Sequence, residues 1–153
     1  MLHIGLWEPE IPPNTGNIAR LCAATGCPLH LIGPLGFRID EKSLRRAGLD
    51  YWDSVELYRH DTLAEFENTL QSQGANIYCL SAHAEQSYTK IAFRPGVGLL
   101  FGAETRGLPP EVLERYRERS YTIPMLSGKV RSLNLATAAG IVLYEGLRQL
   151  HGW

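Results

Sequence analysis

The sequence predicts an α/β fold: a mostly parallel sheet flanked by helices, in one domain spanning residues 1–153. Three observations lead there. Compact apolar runs at residues 77–81 and 97–101 have the form of strands buried on both faces of a parallel sheet. Runs of this kind alternate with amphipathic helical stretches, the rhythm of β–α–β units. No repeat, low-complexity tract or linker divides the 153 residues, a length that buries a core without help from metals or disulfides.

Taken in order, residues 2–7 read as a first strand. Pro12 and Pro13 then read as a break. Residues 14–24 follow as a helix, with Asn14 as its N-cap, Ile18, Leu21 and Cys22 at helical spacing, and Gly26 as its stop. Residues 28–32 form a second strand, closed by Gly33, Pro34 and Gly36. A short helix covers 41–46 and stops at Gly48. Thr62-Leu63-Ala64-Glu65 has the form of a capping box, and Leu63, Phe66 and Leu70 line the face of the helix behind it, up to Gly74. After the two apolar strands, residues 121–123 give another. The longest helix runs over 133–150, with Leu135, Ala139, Val142, Leu143, Leu147 and Leu150 in one broad stripe. Tyr144, Leu147, Leu150 and Trp153 offer more apolar surface than a terminal helix buries alone, and such a surplus marks an interface.

Composition excludes several classes. No run of about 18 apolar residues exists, so no membrane span is expected. The N-terminus has neither a basic leader region nor a small-residue cleavage site, and with three cysteines (Cys22, Cys27, Cys79) in no ligand-like spacing it suits a reduced, cytoplasmic chain. The five histidines are scattered without a metal-binding pair, so no metal is expected. A net charge of −1 neither reveals nor excludes a nucleic-acid partner. Any basic surface has to be local: Arg45 with Arg46, the group Arg115, Arg117 and Arg119, or Lys129 with Arg131. Each cluster alone is more readily a solvated surface.

Three segments do not read as scaffold. Asn14-Thr15-Gly16-Asn17-Ile18-Ala19-Arg20 sits at a helix start, where unpaired N–H groups suit an anionic or polar ligand. Residues 99–109 carry a buried strand into a glycine-bounded loop, Gly102-Ala103-Glu104-Thr105-Arg106-Gly107, holding one acid and one base beyond a strand's carboxyl end. The Gly-Lys-Ser/Thr of a phosphate-cradling loop is missing. Residues 123–134 run from a strand end through a basic loop to Ser132-Leu133-Asn134 at a polar helix start. Singly, each has a plain structural reading as a cap or a tight turn.

Together, in this order and spacing, they resemble the motifs of the SPOUT class of RNA 2′-O-methyltransferases: an Asn…Arg helix, a Gly-x-Glu-x-x-Gly loop, and a Ser-x-Asn before the last helix. The stretches Glu8-Pro9-Glu10-Ile11-Pro12-Pro13-Asn14, Leu44-Arg45-Arg46-Ala47-Gly48-Leu49-Asp50-Tyr51 and Glu104-Thr105-Arg106-Gly107-Leu108-Pro109 are most similar to the minimal tRNA (cytidine/uridine-34) 2′-O-methyltransferases of the YibK/TrmL type. The sequence departs from that pattern at Ala136-Thr137, where a Ser-Asn pair is usual, and in a slightly long loop over 127–131.

The resemblance implies a trefoil knot in the C-terminal part, a homodimer, S-adenosylmethionine as cofactor without metal, and the tRNA anticodon stem-loop as partner. It places Leu80, Gly102, Ile123, Met125, Ser132 and Leu133 at the cofactor, and Asn14, Arg20, Glu104, Ser132 and Asn134 at the catalytic positions. Arg45, Arg46, Lys129 and Arg131 are its candidates for RNA contact. Arg20 is often given the part of general base in this class. As a cation with a planar set of donors, it is physically better suited to stabilise a developing alkoxide while phosphate or water takes the proton. Two other readings stay open from sequence. A non-catalytic nucleotide- or RNA-binding module would use the glycine loop but not Arg20, Glu104 and Asn134. A small hydrolase lacks its Gly-x-Ser-x-Gly elbow.

Overall fold

The computed structural model describes residues 1–38 and 51–153. Its regular elements are β1 (His3–Trp7), α1 (Pro12–Thr25), β2 (Leu29–Ile32), β3 (Leu57–His60), α2 (Leu63–Gln71), β4 (Ile77–Leu80), β5 (Gln86–Ser87), β6 (Gly98–Phe101), α3 (Pro110–Arg115), β7 (Ser120–Thr122) and α4 (Leu135–His151). The strands pair in parallel in the order β3-β2-β1-β6-β4-β7-β5. The expected α/β class and parallel sheet are therefore present. The short helix expected over 41–46, with Arg45 and Arg46, lies outside the described residues.

Side chains alternate across the sheet, which gives it two apolar faces. Ile4, Leu6, Leu29, Leu31, Leu99 and Phe101 join Ile18, Ala19 and Cys22 of α1 and Ala139, Val142 and Leu143 of α4. Ile32, Leu100, Ile77 and Cys79 meet Phe66 and Leu70 of α2 and Val112 of α3 on the other. All three cysteines are free and buried, and burial pushes the Cys79 thiol up to about 12, so it stays an unreactive core group.

Several boundaries differ from expectation. α1 begins at Pro12, not Asn14: both prolines occupy its first turn, where a missing N–H costs nothing. Its N-cap is Ile11, whose side chain makes no capping bond, and Asn14 is 7 % exposed inside the first turn. α4 starts at Leu135. β3, β5 and α3 were not foreseen. Of the four residues named for an interface, Leu147 belongs to the core at 7 % exposure, whereas Tyr144 and Trp153 are exposed. Half of the capping box forms as expected, Glu65 N–H donating to Thr62 Oγ1 (3.3 Å), while the Glu65 carboxylate reaches one residue further back and accepts from Asp61 N–H (2.8 Å).

On the α2 face a row of histidines crosses three strands. His30 spends both ring nitrogens, Nε2 on His3 Nδ1 and Nδ1 on His60 Nε2, each at 2.9 Å. It stacks on Tyr58 and meets Phe66 edge-on. Burial, and then the neighbouring imidazoles, hold the His30 pKa down to about 3; His3 and His60 are also lowered, chiefly by burial. The folded state thus keeps His30 neutral while the unfolded chain takes a proton near pH 6.5. Its stability contribution is whole above pH 6.5 and is lost as the pH falls from there towards 3, at up to ~1.4 kcal/mol per pH unit. Urea midpoints for the wild type should fall between pH 7 and 4 more steeply than those of His30→Phe. Parallel pH profiles for the two proteins would contradict this.

Candidate active site

Ligands of open α/β sheets bind beyond the carboxyl ends of the strands. Here β6, β4 and β7 are adjacent, so Gly102, Leu80 and Ile123 come to neighbouring strand ends, with Ser81 N–H donating to Tyr121 O (3.0 Å). The loop leaving β6 closes on itself: Gly107 N–H donates to Ala103 O at 2.8 Å, with Gly107 in the left-handed region at φ 65°. A β-carbon on Gly102 would lie 2.3 Å from both Gly107 C and Leu108 N. The resemblance places this glycine at the cofactor. The close approach here is of the loop to its own backbone.

That closure aims Glu104 at the start of α1. Its Oε1 accepts from Glu10 N–H (2.9 Å), and its Oε2 accepts from Ile11 N–H (2.7 Å) and Asn14 Nδ2 (3.3 Å). A carboxylate from a distant loop thus supplies the anionic cap that α1 lacks in its own sequence. Glu10 returns the contact by accepting from Thr105 N–H (3.0 Å) and Thr105 Oγ1 (2.8 Å), bonds that hold its carboxyl below the ordinary value. The Glu10–Thr105 clasp was missed from sequence, although two acids ahead of a proline-started helix were its visible signal.

The network continues to the third segment. Asn14 Oδ1 accepts from Asn134 Nδ2 at 2.9 Å, and Asn134 Oδ1 caps α4 by accepting from Ala136 N–H (2.9 Å) and Thr137 N–H (3.2 Å). Each amide has only one workable orientation, since a flip of Asn14 would set oxygen against the Glu104 carboxylate. Asn134→Ala should cost about 1 kcal/mol or more through the lost cap. Asn134→Asp keeps the cap acceptor while removing the donor to Asn14, so it should unfold at a higher temperature than Asn134→Ala. Equal melting of the two variants would contradict the capping role.

Glu104, Asn14 and Asn134 are therefore brought together. Arg20 is not: it is exposed further along α1, its guanidinium carbon 5.2 Å from the centre of the Tyr51 ring. Ser132, Lys129 and Arg131 are exposed on the loop between β7 and α4, where Met125 and Leu133 are half-buried and Leu126 is 99 % exposed. Leu80 is buried and Ile123 half-buried. The cluster Arg115, Arg117 and Arg119 is committed to local structure. Arg115 pairs with the buried Glu67 (3.1 Å), Arg117 with Glu114 (3.5 Å), and Arg115 and Arg119 both lie by the Tyr116 ring.

Apolar side chains at adjacent strand ends, beside the half-buried Met125 and Leu133, suit an adenosine and an aliphatic sulfonium chain. Among the described residues no group of three or more His, Cys, Asp or Glu is arranged to hold a metal ion, and no helix is long and apolar enough to cross a membrane.

Residues 1–144 match the SpoU rRNA Methylase family. The chain belongs to that family. This SpoU-family chain is 46 % identical to a tRNA (cytidine(34)-2′-O)-methyltransferase of Yersinia pestis, over 98 % of its own length and 94 % of the relative's. It superposes with a TM-score of 0.92 and 53 % identity on a solved structure concerning 2-OH methylation of C/U34 on tRNA, covering 100 % of this chain and 98 % of that one. The SpoU methyltransferase AviRb from Streptomyces viridochromogenes, solved in complex with AdoMet, shares the fold at a TM-score of 0.85 and 26 % identity, over 100 % of this chain and 62 % of AviRb.

Proposed function

We propose that this SpoU-family enzyme methylates the ribose 2′-hydroxyl of the wobble nucleotide of tRNA, position 34, a cytidine or uridine derivative, using S-adenosylmethionine. The observation that carries the reading is the hydrogen-bonded chain from Glu104 through Asn14 to Asn134, which ties together the three segments that the resemblance marks. Likeness over nearly the whole length, at 46 % identity, to an enzyme named for cytidine 34 of tRNA favours tRNA over the rRNA of the family's description.

When bound, the cofactor supplies an electrophilic methyl group on a sulfonium centre. Leu80, Gly102, Ile123, Met125, Ser132 and Leu133 would hold it, largely through backbone and apolar contacts. The chain's task is then to align the ribose oxygen and help it lose a proton, and alignment can supply much of the rate. Arg20 stabilises the developing alkoxide as a cation, leaving the proton to water or a phosphate. Glu104, Asn14 and Asn134 act as positioning residues, because their polar atoms are engaged with one another and with two helix starts. Lys129 and Arg131, with Arg45 and Arg46, would meet phosphates of the anticodon stem-loop, whose unpaired bases present a ribose without opening a duplex.

The resemblance also supports a knotted C-terminal segment, a cytoplasmic setting and a homodimer. Tyr144 on α4 and Trp153 just beyond its end, both exposed with ring centres 6.3 Å apart, are the dimer's candidate contacts. Sedimentation equilibrium at micromolar concentration should return twice the mass of one chain; a single-chain mass would remove the dimer.

Labelled methyl transfer to an unmodified tRNA transcript tests the reaction. The product should contain one alkali-resistant dinucleotide, because a 2′-O-methyl ribose cannot form the cyclic phosphate through which RNA hydrolyses. A transcript with 2′-deoxyribose at position 34 should accept no label. Label that becomes alkali-labile, or that enters the deoxy transcript, would overturn the reading.

A further inference from the structure

An arginine that stabilises an alkoxide has to keep both its charge and its N–H donors available, which makes its resting contact informative. Arg115, Arg117 and Arg148 lean on carboxylates, and the Arg148 guanidinium engages Glu145 through two nitrogens at 2.8 and 3.0 Å. A carboxylate partner neutralises the cation and occupies its donors in a fork. Among the described residues Arg20 has no carboxylate within ion-pair distance; it rests by an aromatic ring, its guanidinium carbon 5.2 Å from the ring centre of Tyr51.

Tyr51 is fixed by its surroundings, not by its own burial. Its carbonyl accepts from Ser54 N–H (2.9 Å), opening the short turn Trp52–Ser54, and Trp52 packs against the larger core cluster. The backbone is pinned while the residue stays 38 % exposed beside α1. A ring face attracts a cation through its quadrupole but has no lone pair to accept its N–H groups. It therefore narrows the many rotamers of an exposed arginine and leaves the donors for an oxygen of the substrate.

We propose that Tyr51 is a positioning residue for the methyl transfer, acting through Arg20 by holding its guanidinium in a reactive orientation. The proposal rests on the catalytic part given to Arg20 above.

Steady-state methyl transfer with purified full-length variants tests it. Tyr51→Leu should lower kcat about five-fold, the scale of one exposed cation–π contact. KM for S-adenosylmethionine, KM for tRNA and the thermal midpoint should stay at wild-type values. Tyr51→Phe, which keeps the ring, should restore kcat. In an Arg20→Ala background Tyr51→Leu should have no further effect, because the group it orients is gone. Wild-type kcat in Tyr51→Leu, a loss confined to KM for tRNA, or an undiminished five-fold loss in the Arg20→Ala background would each overturn the proposal while leaving the reading of Arg20 standing. Full activity in Arg20→Ala alone would overturn both.

Discussion

Replacing Arg20 with alanine should lower turnover by roughly 10² or more, the scale on which one preorganised electrostatic stabiliser acts. The magnitude follows from where charge develops. A ribose hydroxyl is a weak acid, so the attacking oxygen gains negative charge as its proton leaves, and a cation beside it lowers that barrier most. Affinity for S-adenosylmethionine should be unchanged, since Arg20 lies on α1 and the cofactor candidates follow β4, β6 and β7. Arg20→Lys keeps a charge but loses the planar fork, so it should recover only part of the rate. Single-turnover methyl transfer at saturating cofactor reads the chemical step directly. A full-rate Arg20→Ala enzyme would show that the alkoxide is stabilised elsewhere.

Gly102→Val should weaken cofactor binding, because the loop behind β6 cannot close over an added side chain. The added β-carbon would lie 2.3 Å from the backbone of Gly107 and Leu108, and backbone cannot swing aside as a flexible side chain can. The loop would have to open, which withdraws Glu104 from Glu10, Ile11 and Asn14. Overpacking of this kind costs about 1–3 kcal/mol, and each 1.4 kcal/mol is tenfold in affinity, so calorimetry should show cofactor binding weakened by about five-fold to 10²-fold. Gly102→Ala meets the same clash and should show the same loss with less added bulk. Wild-type affinity in the alanine variant would contradict the account of the loop.

Much of the scaffold was legible because burial wrote it plainly. The runs behind β4 and β6 are apolar on both faces, which only a covered parallel strand needs, and the helix faces of α2 and α4 repeat at the expected spacing. β3 was not legible, because Leu57-Tyr58-Arg59-His60 is an edge strand whose middle residues face solvent. β5 is two residues long and α3 six, too short for either to show a period. Pro12 and Pro13 misled because proline both breaks helices and starts them, and only the chain's direction in space tells which.

The site was legible in its residues but not in its bonds. Asn14 and Asn134 are 120 residues apart, and Glu104 lies 90 beyond Asn14. No local pattern announces that an acid on one loop will cap a helix started elsewhere. Tyr51 was quoted as part of a motif, yet nothing in its neighbours along the chain indicates that its ring meets Arg20. Leu147 was misassigned to an interface because apolar spacing alone does not say which side of a broad stripe the core takes.

Mass spectrometry of nuclease fragments from a tRNA methylated by the purified enzyme tests the central claim most directly. The account predicts a single added methyl group on the 2′-oxygen of nucleotide 34. A methyl group on a base, or on a ribose outside the anticodon loop, would contradict it.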